Sequence, residues 1–173
     1  MNPLIMRWSS CSLRRTTPLG DITIIHPFDL QIRRGEWIAI VAPHSQGKTQ
    51  LMHIMAGHVA PTSGRVWWDD QDVTHRRHHQ RGIHYRDIRH HPPDDHTSHH
   101  AIMMWDEPLA VNHYREDWHH LHRERLVSRH HTWVYTSHVT PPRHLYDRMI
   151  RIDQGRITEI QESDELHDQS HVQ

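Results

Sequence analysis

Hydrophobic residues along this chain fall into short runs separated by polar turns, and the runs differ in period. Trp37-Ile38-Ala39-Ile40-Val41 is unbroken and rich in β-branched residues, which predicts a strand buried on both faces. Leu51, Met52, Ile54 and Met55 follow at helical spacing, and Ala56-Gly57 predicts the end of that helix. Between strand and helix lies the loop Ala42-Pro43-His44-Ser45-Gln46-Gly47-Lys48-Thr49. Upstream, Ile22–Ile25 and Phe28–Ile32 read as two strands of an antiparallel patch. Downstream, Pro61-Thr62-Ser63-Gly64 is a turn leading into a strand at Arg65–Trp68.

The pattern fades over residues 75–100, which hold nine His and only Ile83, Tyr85 and Ile88 as sizeable apolar residues; this reads as a polar linker or loop. It returns at Ala101–Trp105, an apolar run closed by Asp106-Glu107-Pro108. Residues 113–130 predict an exposed charged helix, Thr132–Thr136 a buried strand ending at Ser137-His138, and the runs flanking Asp153-Gln154-Gly155 a hairpin.

Composition narrows the classes. A chain of 173 residues suits one domain and needs no covalent staple. Mean hydropathy is −0.86 and no apolar run approaches the ~20 residues of a spanning helix. The first ten residues lack the apolar stretch of a signal peptide, so the expected location is cytoplasmic. Cys11 is the single cysteine, which excludes an internal disulfide and a cysteine-built zinc site. A net charge of −1 leaves no standing basic field, so no nucleic-acid partner is expected. The 23 His would bring the chain to roughly +10 near pH 6.5, which predicts a strong response to mild acid.

Of the twenty Lys and Arg residues only Lys48 is a lysine. A bias toward Arg everywhere else points to a place that needs a compact ammonium, chance being the other reading. Gly47-Lys48-Thr49 completes the G-x-x-x-x-G-K-[ST] phosphate-loop pattern, with Ala42 in place of the first glycine. In such a loop Lys48 reaches the β- and γ-phosphates of a nucleotide and Thr49 ligates Mg²⁺. Asp106 closes an apolar strand, which puts a carboxylate at the sheet edge as a second Mg²⁺ ligand; Glu107 beside it is a candidate general base. The pair also fits a plain solvated turn. His138 closes a strand in the same way and is either a γ-phosphate sensor or one His among many. His119, His120, His122 and Glu124 lie within two turns of a predicted helix, where they read as a zinc or nickel site or as solvated side chains.

The order of Arg34-Gly35-Glu36, Gly47-Lys48-Thr49, Ala56-Gly57, Pro61-Thr62-Ser63-Gly64, Asp70–Thr74, Asp106-Glu107-Pro108, Ser137-His138 and Asp153–Ile157 resembles the ATP-binding-cassette (ABC) ATPases of membrane transporters over roughly 20–75 and 101–166. The resemblance implies an α/β fold: a P-loop NTPase sandwich with a mainly parallel core sheet plus a small N-terminal antiparallel β patch. It implies one cassette over 1–173, with 75–100 in place of the family's helical subdomain. It implies a subunit that binds, and can hydrolyse, ATP with Mg²⁺ to drive transport. Such a subunit works with a membrane permease, as a homo- or heterodimer with another cassette, on the inner face of a membrane. A degenerate, non-hydrolysing binding or assembly module and a His-rich metal-binding protein remain alternatives. The family's Leu-Ser-Gly-Gly-Gln signature is absent, Arg86 stands where its loop glutamine is expected, and Leu109–Asn112 is a worn version of its dimer-contact loop. Trp8 is the nearest candidate for the aromatic residue that stacks on adenine.

Overall fold

The computed structural model describes residues 3–77, 82–87, 101–107, 114–127 and 130–162, with no side-chain description for 86–87, 114–117 and 120. Two sheets face each other across helix α1 (Lys48–Ala56). The larger has the order β10-β9-β3-β8-β7-β6. Its parallel core is β3 (Trp37–Val41), β6 (Ile83–Asp87), β7 (Ile102–Asp106), β8 (Thr132–Ser137) and β9 (Arg148–Asp153); β10 (Arg156–Glu162) returns antiparallel along β9. The smaller is antiparallel, order β2-β1-β4-β5: β1 (Leu4–Thr17), β2 (Gly20–Arg33), β4 (Ser63–Trp68) and β5 (Gln71–Asp72).

Successive strand side chains point to opposite faces, so β3 feeds two cores. Ile38 and Ile40 join Leu51, Met52, Ile54 and Met55 of α1 and the inner face of the antiparallel sheet. Trp37, Ala39 and Val41 join Trp133, Tyr135 and Leu121, the last from α2 (Tyr114–Val127). Strand β7 splits likewise, Ile102 and Met104 to the first core, Met103 and Trp105 to the second. Both faces are covered, which is why these strands read as unbroken apolar runs. Helix α2 therefore packs on the sheet through Leu121 and Trp118 and is not the wholly exposed helix expected.

Three further expectations change, while the antiparallel patch is present as a four-stranded sheet. Its longest pairing uses β1, whose alternation is hidden by bulges between Trp8 and Leu13, with Ser10 at φ 48°. The two runs at 22–25 and 28–32 are one strand through Pro27, tolerated because β2 is an edge strand. Inside the segment read as a linker, Ile83–Asp87 is an edge strand paired in parallel with Ile102–Asp106. The remaining linker residues, 78–81 and 88–100, lie outside the described residues, as do 108–113 with the worn loop. Trp8 is 1% exposed inside the first core, so it cannot stack on a base.

The Arg34-Gly35-Glu36 turn ties the sheets together. Glu36 Oε1 meets Arg148 Nε at 2.9 Å, its Oε2 accepts from the Arg33 N–H, and Arg148 also donates to the Gln31 carbonyl. Burial pushes the Glu36 carboxyl up, with the Arg33 amide and Arg148 acting against it.

Candidate functional site

The carboxyl ends of three adjacent parallel strands carry the candidate residues. β3 runs into the phosphate loop, β7 ends at Asp106 and β8 ends at Ser137. An open cleft of about 480 Å³ lies at the loop, lined by residues 45–50 together with Thr23, Ile24, Glu107, Gln154 and Gly155.

The loop turns through two left-handed residues, Ser45 (φ 62°) and Gly47 (φ 100°). Ala42 is not one of them. It is 2% exposed, donates to the Ser137 carbonyl and packs in the first core, so its methyl group fits where a glycine was expected. Pro43, His44 and Ser45 are exposed, Gln46 and Gly47 half-buried. Lys48 opens α1 and is 4% exposed; its ammonium donates to the carbonyls of Ala42 (2.6 Å) and Pro43 (2.9 Å) and lies 3.8 Å from Glu107 Oε1. Burial pulls the Lys48 ammonium below its ordinary pKa, against the pull of Glu107 and Asp106. Thr49 is exposed beside it in the cleft.

Asp106 is 6% exposed, and both its oxygens are held: the Thr136 hydroxyl donates to Oδ1 (2.8 Å) and the Tyr85 hydroxyl to Oδ2 (3.1 Å). The same Thr136 oxygen accepts the Glu107 N–H at 2.6 Å. Glu107 sits at φ 49°, a conformation that costs a non-glycine residue about 1–2 kcal/mol. Thr136 thus ties down the strained step that aims Glu107 at the loop. Sequence reasoning missed Thr136 and Tyr85. Thr136 lies inside an apolar run, and its alternation with Tyr135 was the one available signal. Tyr85 lay in the segment read as a linker.

His138 follows Ser137, whose hydroxyl donates to the Val139 carbonyl and turns the chain at the strand end. Its ring lies 4.5 Å, centroid to centroid, from that of His44, whose Nδ1 is 4.0 Å from Glu107 Oε1. Burial, and then the charge of His44, hold the His138 imidazole below its ordinary pKa, with Glu107 opposing. Among the described residues, His44, Glu107 and His138 are the one His/carboxylate group with metal-ligand spacing. Among the described residues His119, His122 and Glu124 form no such group: Glu124 is buried and the His122 ring packs edge-on against His144, and the His120 side chain is outside the described residues.

The His138 shift has a defined sign. Above about pH 6.5 the imidazole is neutral folded and unfolded, so it contributes nothing. As pH falls through that value the unfolded chain takes up a proton that the folded chain resists, and stability is lost. Charging of the other His adds like-charge repulsion. We expect thermal melts at constant ionic strength to show a lower midpoint at pH 6 than at pH 7.5. A flat midpoint would refute it.

Comparison with known proteins adds the decisive observation: the family model described as "ABC transporter" matches residues 25–170. This chain belongs to the ABC transporter family. Individual relatives match in part. The ABC-family chain is 39% identical over 64 residues to the Fe(3+) ions import ATP-binding protein FbpC of Photobacterium profundum, covering 37% of this chain and 18% of that protein. It is 40% identical over 55 residues to the hemin import ATP-binding protein HmuV of Rhodopseudomonas palustris, covering 32% and 21%. The matched stretch thus spans about a fifth of each curated relative's length. In fold, the ABC chain is similar to the ADP conformation of an ATP-binding cassette of an ABC transporter, with a TM-score of 0.74 at 13% identity over 95% of this chain and 93% of that one. It is also similar to a dimeric cassette in a post-hydrolysis state bound to ADP and Pi, with a TM-score of 0.71 at 13% identity over 91% and 98%. Among the described residues no helix is long and apolar enough to cross a membrane.

Proposed function

We propose that this chain binds ATP with Mg²⁺ at residues 42–49 and serves as a nucleotide-binding subunit of an ABC-type transporter. It works against a membrane permease on the inner face of the membrane, paired with a second cassette. The chain acts as one cassette in which β6 belongs to the core sheet and the interval 88–100 stands where the family has its helical subdomain. The observation that carries the reading is the convergence of Lys48, Thr49 and Glu107 on one cleft at the ends of β3 and β7, with the buried Asp106 next to Glu107 at the same strand end.

The residues fit Mg·ATP. Asp106 is a buried carboxylate fixed at both oxygens at the end of β7, and Thr49 is an exposed residue lining the cleft beside Glu107. Those two would hold Mg²⁺, which neutralises charge on the β- and γ-phosphates. Lys48 exchanges the Ala42 and Pro43 carbonyls for phosphate oxygens, and the amides at the start of α1 face the anion. Glu107 orients the attacking water and takes its proton, and His138 senses the terminal phosphate.

Turnover by the chain alone is slow in this reading. Positioning and exclusion of water supply most of phosphoryl-transfer catalysis, and the sequence has no Leu-Ser-Gly-Gly-Gln segment to close over a partner's nucleotide. The expected pattern is measurable Mg·ATP binding, turnover below about 1 s⁻¹, the lower end of ordinary enzyme rates, and stimulation by a signature-bearing cassette. Glu107→Gln keeps binding and loses the stimulated turnover, because the amide keeps the shape and cannot take a proton. Equal turnover in both proteins, above a no-protein blank, would reassign the base; absent binding would remove the reading.

A further inference from the structure

Nothing in phosphate-loop chemistry calls for an imidazole at position 44, yet His44 stands over the site together with a second imidazole and a carboxylate. We propose that His44, Glu107 and His138 form a binding site for one borderline-soft divalent cation, of the zinc or nickel class. Three separate segments bring the groups together: the loop after β3, the residue after β7 and the residue after β8. One ligand atom from each lies within 4.8 Å of the other two.

Two imidazoles and one carboxylate are a donor set that zinc takes in three-ligand sites, with the fourth position open. Bonds of about 2.0–2.1 Å in a tetrahedron put ligand atoms ~3.3 Å apart. The His44 to Glu107 separation of 4.0 Å therefore closes by less than about 1 Å, and the full set by about 1.5 Å. The His44 side chain is 65% exposed and has room to make that swing. The charge balance permits a cation. Lys48, 3.8 Å from Glu107, opposes it, but its ammonium is anchored on two carbonyls, and Asp106 and Glu107 supply two negative charges beside it. Imidazole donors favour zinc, nickel and copper over magnesium. This site thus differs in preference from the oxygen donors Thr49 and Asp106, which lie five residues from His44 and one residue from Glu107 in the chain.

The site has a functional consequence, which rests on the nucleotide reading above. A Glu107 carboxylate bonded to such an ion cannot accept a proton from water. The ion also occupies space beside Lys48 that a terminal phosphate would use. Metal and Mg·ATP therefore exclude one another, and transition-metal excess holds the chain out of its nucleotide cycle.

With 23 His in the chain, bulk metal uptake is uninformative, so the test is site by site. Zn²⁺ is titrated into the full chain against a chromophoric chelator of about micromolar affinity. Folding of each variant is checked by its melting curve. Wild type holds one tight equivalent; His44→Gln and His138→Gln each lose it, with at least the roughly 10–100-fold weakening seen when even outer-sphere partners are removed. Exposed His75→Gln keeps it. Co²⁺ gives an independent readout: the visible band of a tetrahedral ion appears in wild type and His75→Gln and vanishes in the other two. Equal uptake in wild type, His44→Gln and His138→Gln, or equal loss in His75→Gln, would overturn the proposal. Mg·ATP, corrected for metal that the nucleotide itself takes, displaces the equivalent from wild type. Retention of the metal there, with its loss in the two variants intact, upholds the metal site and counts against the nucleotide reading instead.

Discussion

Lys48→Ala abolishes the rise in melting temperature that Mg·ATP gives the wild type. A ligand present at a hundred times its dissociation constant stabilises a folded chain by about 2.7 kcal/mol. For a chain of this length that is a shift of about 5–10 °C. The ammonium is the one lysine in the sequence, and it sits at the head of α1, where a bound phosphate would meet the first amides of the helix. Its removal takes out the point charge that the site offers the β- and γ-oxygens, and the shift falls below about 1 °C. The substitution also leaves the carbonyls of Ala42 and Pro43 without their donor, so the unliganded midpoint falls too. The quantity to compare is therefore the shift in each protein, read by differential scanning fluorimetry with and without Mg·ATP. Lys48→Arg sharpens the result: it keeps the charge but replaces a compact donor by a planar fork in a 4%-exposed position, and recovers little of the shift. An undiminished shift in Lys48→Ala would move the nucleotide elsewhere.

Gly155→Ala unseats the β9–β10 turn from the phosphate loop and costs about 3–4 kcal/mol, a drop of roughly 8–15 °C in melting temperature. Gly155 has φ 73°, and a methyl group there would lie 2.0 Å from the Ile24 carbonyl oxygen. That atom is backbone and cannot turn aside, so the turn must lift. Lifting breaks two hydrogen bonds, His26 N–H to the Gly155 carbonyl and Gly155 N–H to the Gln46 carbonyl, each 2.9 Å. Each is worth about 1 kcal/mol, and the left-handed backbone adds about 1–2 kcal/mol for a residue with a Cβ. Gln46 also accepts the Gln154 N–H on its side-chain oxygen at 2.7 Å, so the loop loses its outer support as well. Mg·ATP affinity falls with stability. Gly20→Ala is the control: φ is 116°, but nothing lies within 4 Å of the added methyl, so it pays the backbone strain alone. Equal melting temperatures for the two variants would show that the close approach to Ile24 carries no weight.

The phosphate loop, the Asp106-Glu107 strand end and the His138 strand end were legible because each depends on local order: an apolar run, then a polar residue at the edge where the run stops. The lone lysine stood out for the same kind of reason, since one residue type was withheld everywhere else. Strand β1 was not legible, because bulges break the period-two pattern that identifies a strand. Strand β6 was hidden by the histidines around it; Ile83 and Tyr85 keep the alternation, but a five-residue edge strand needs a neighbour to hold it, and that neighbour, Ile102–Asp106, is nineteen residues further on. Trp8 looked like a base-stacking residue because sequence distance carries no burial. The second sheet places it in the core.

The sequence by itself determined which candidate residues stand at the strand ends, in what order they come, and that a parallel sheet buried on both faces would carry them. Those properties are written in the period and identity of adjacent residues. The tertiary structure alone decided which distant groups share a site. Thr136 joins Asp106 and Glu107 across thirty residues, the Gln154-Gly155 turn reaches Gln46 across more than a hundred, and His44 meets His138 only because β3 and β8 are neighbours in the sheet. Such contacts follow from strand order, and strand order is set by how two sheets and a helix bury their apolar faces together, a sum over the whole chain that no local stretch records.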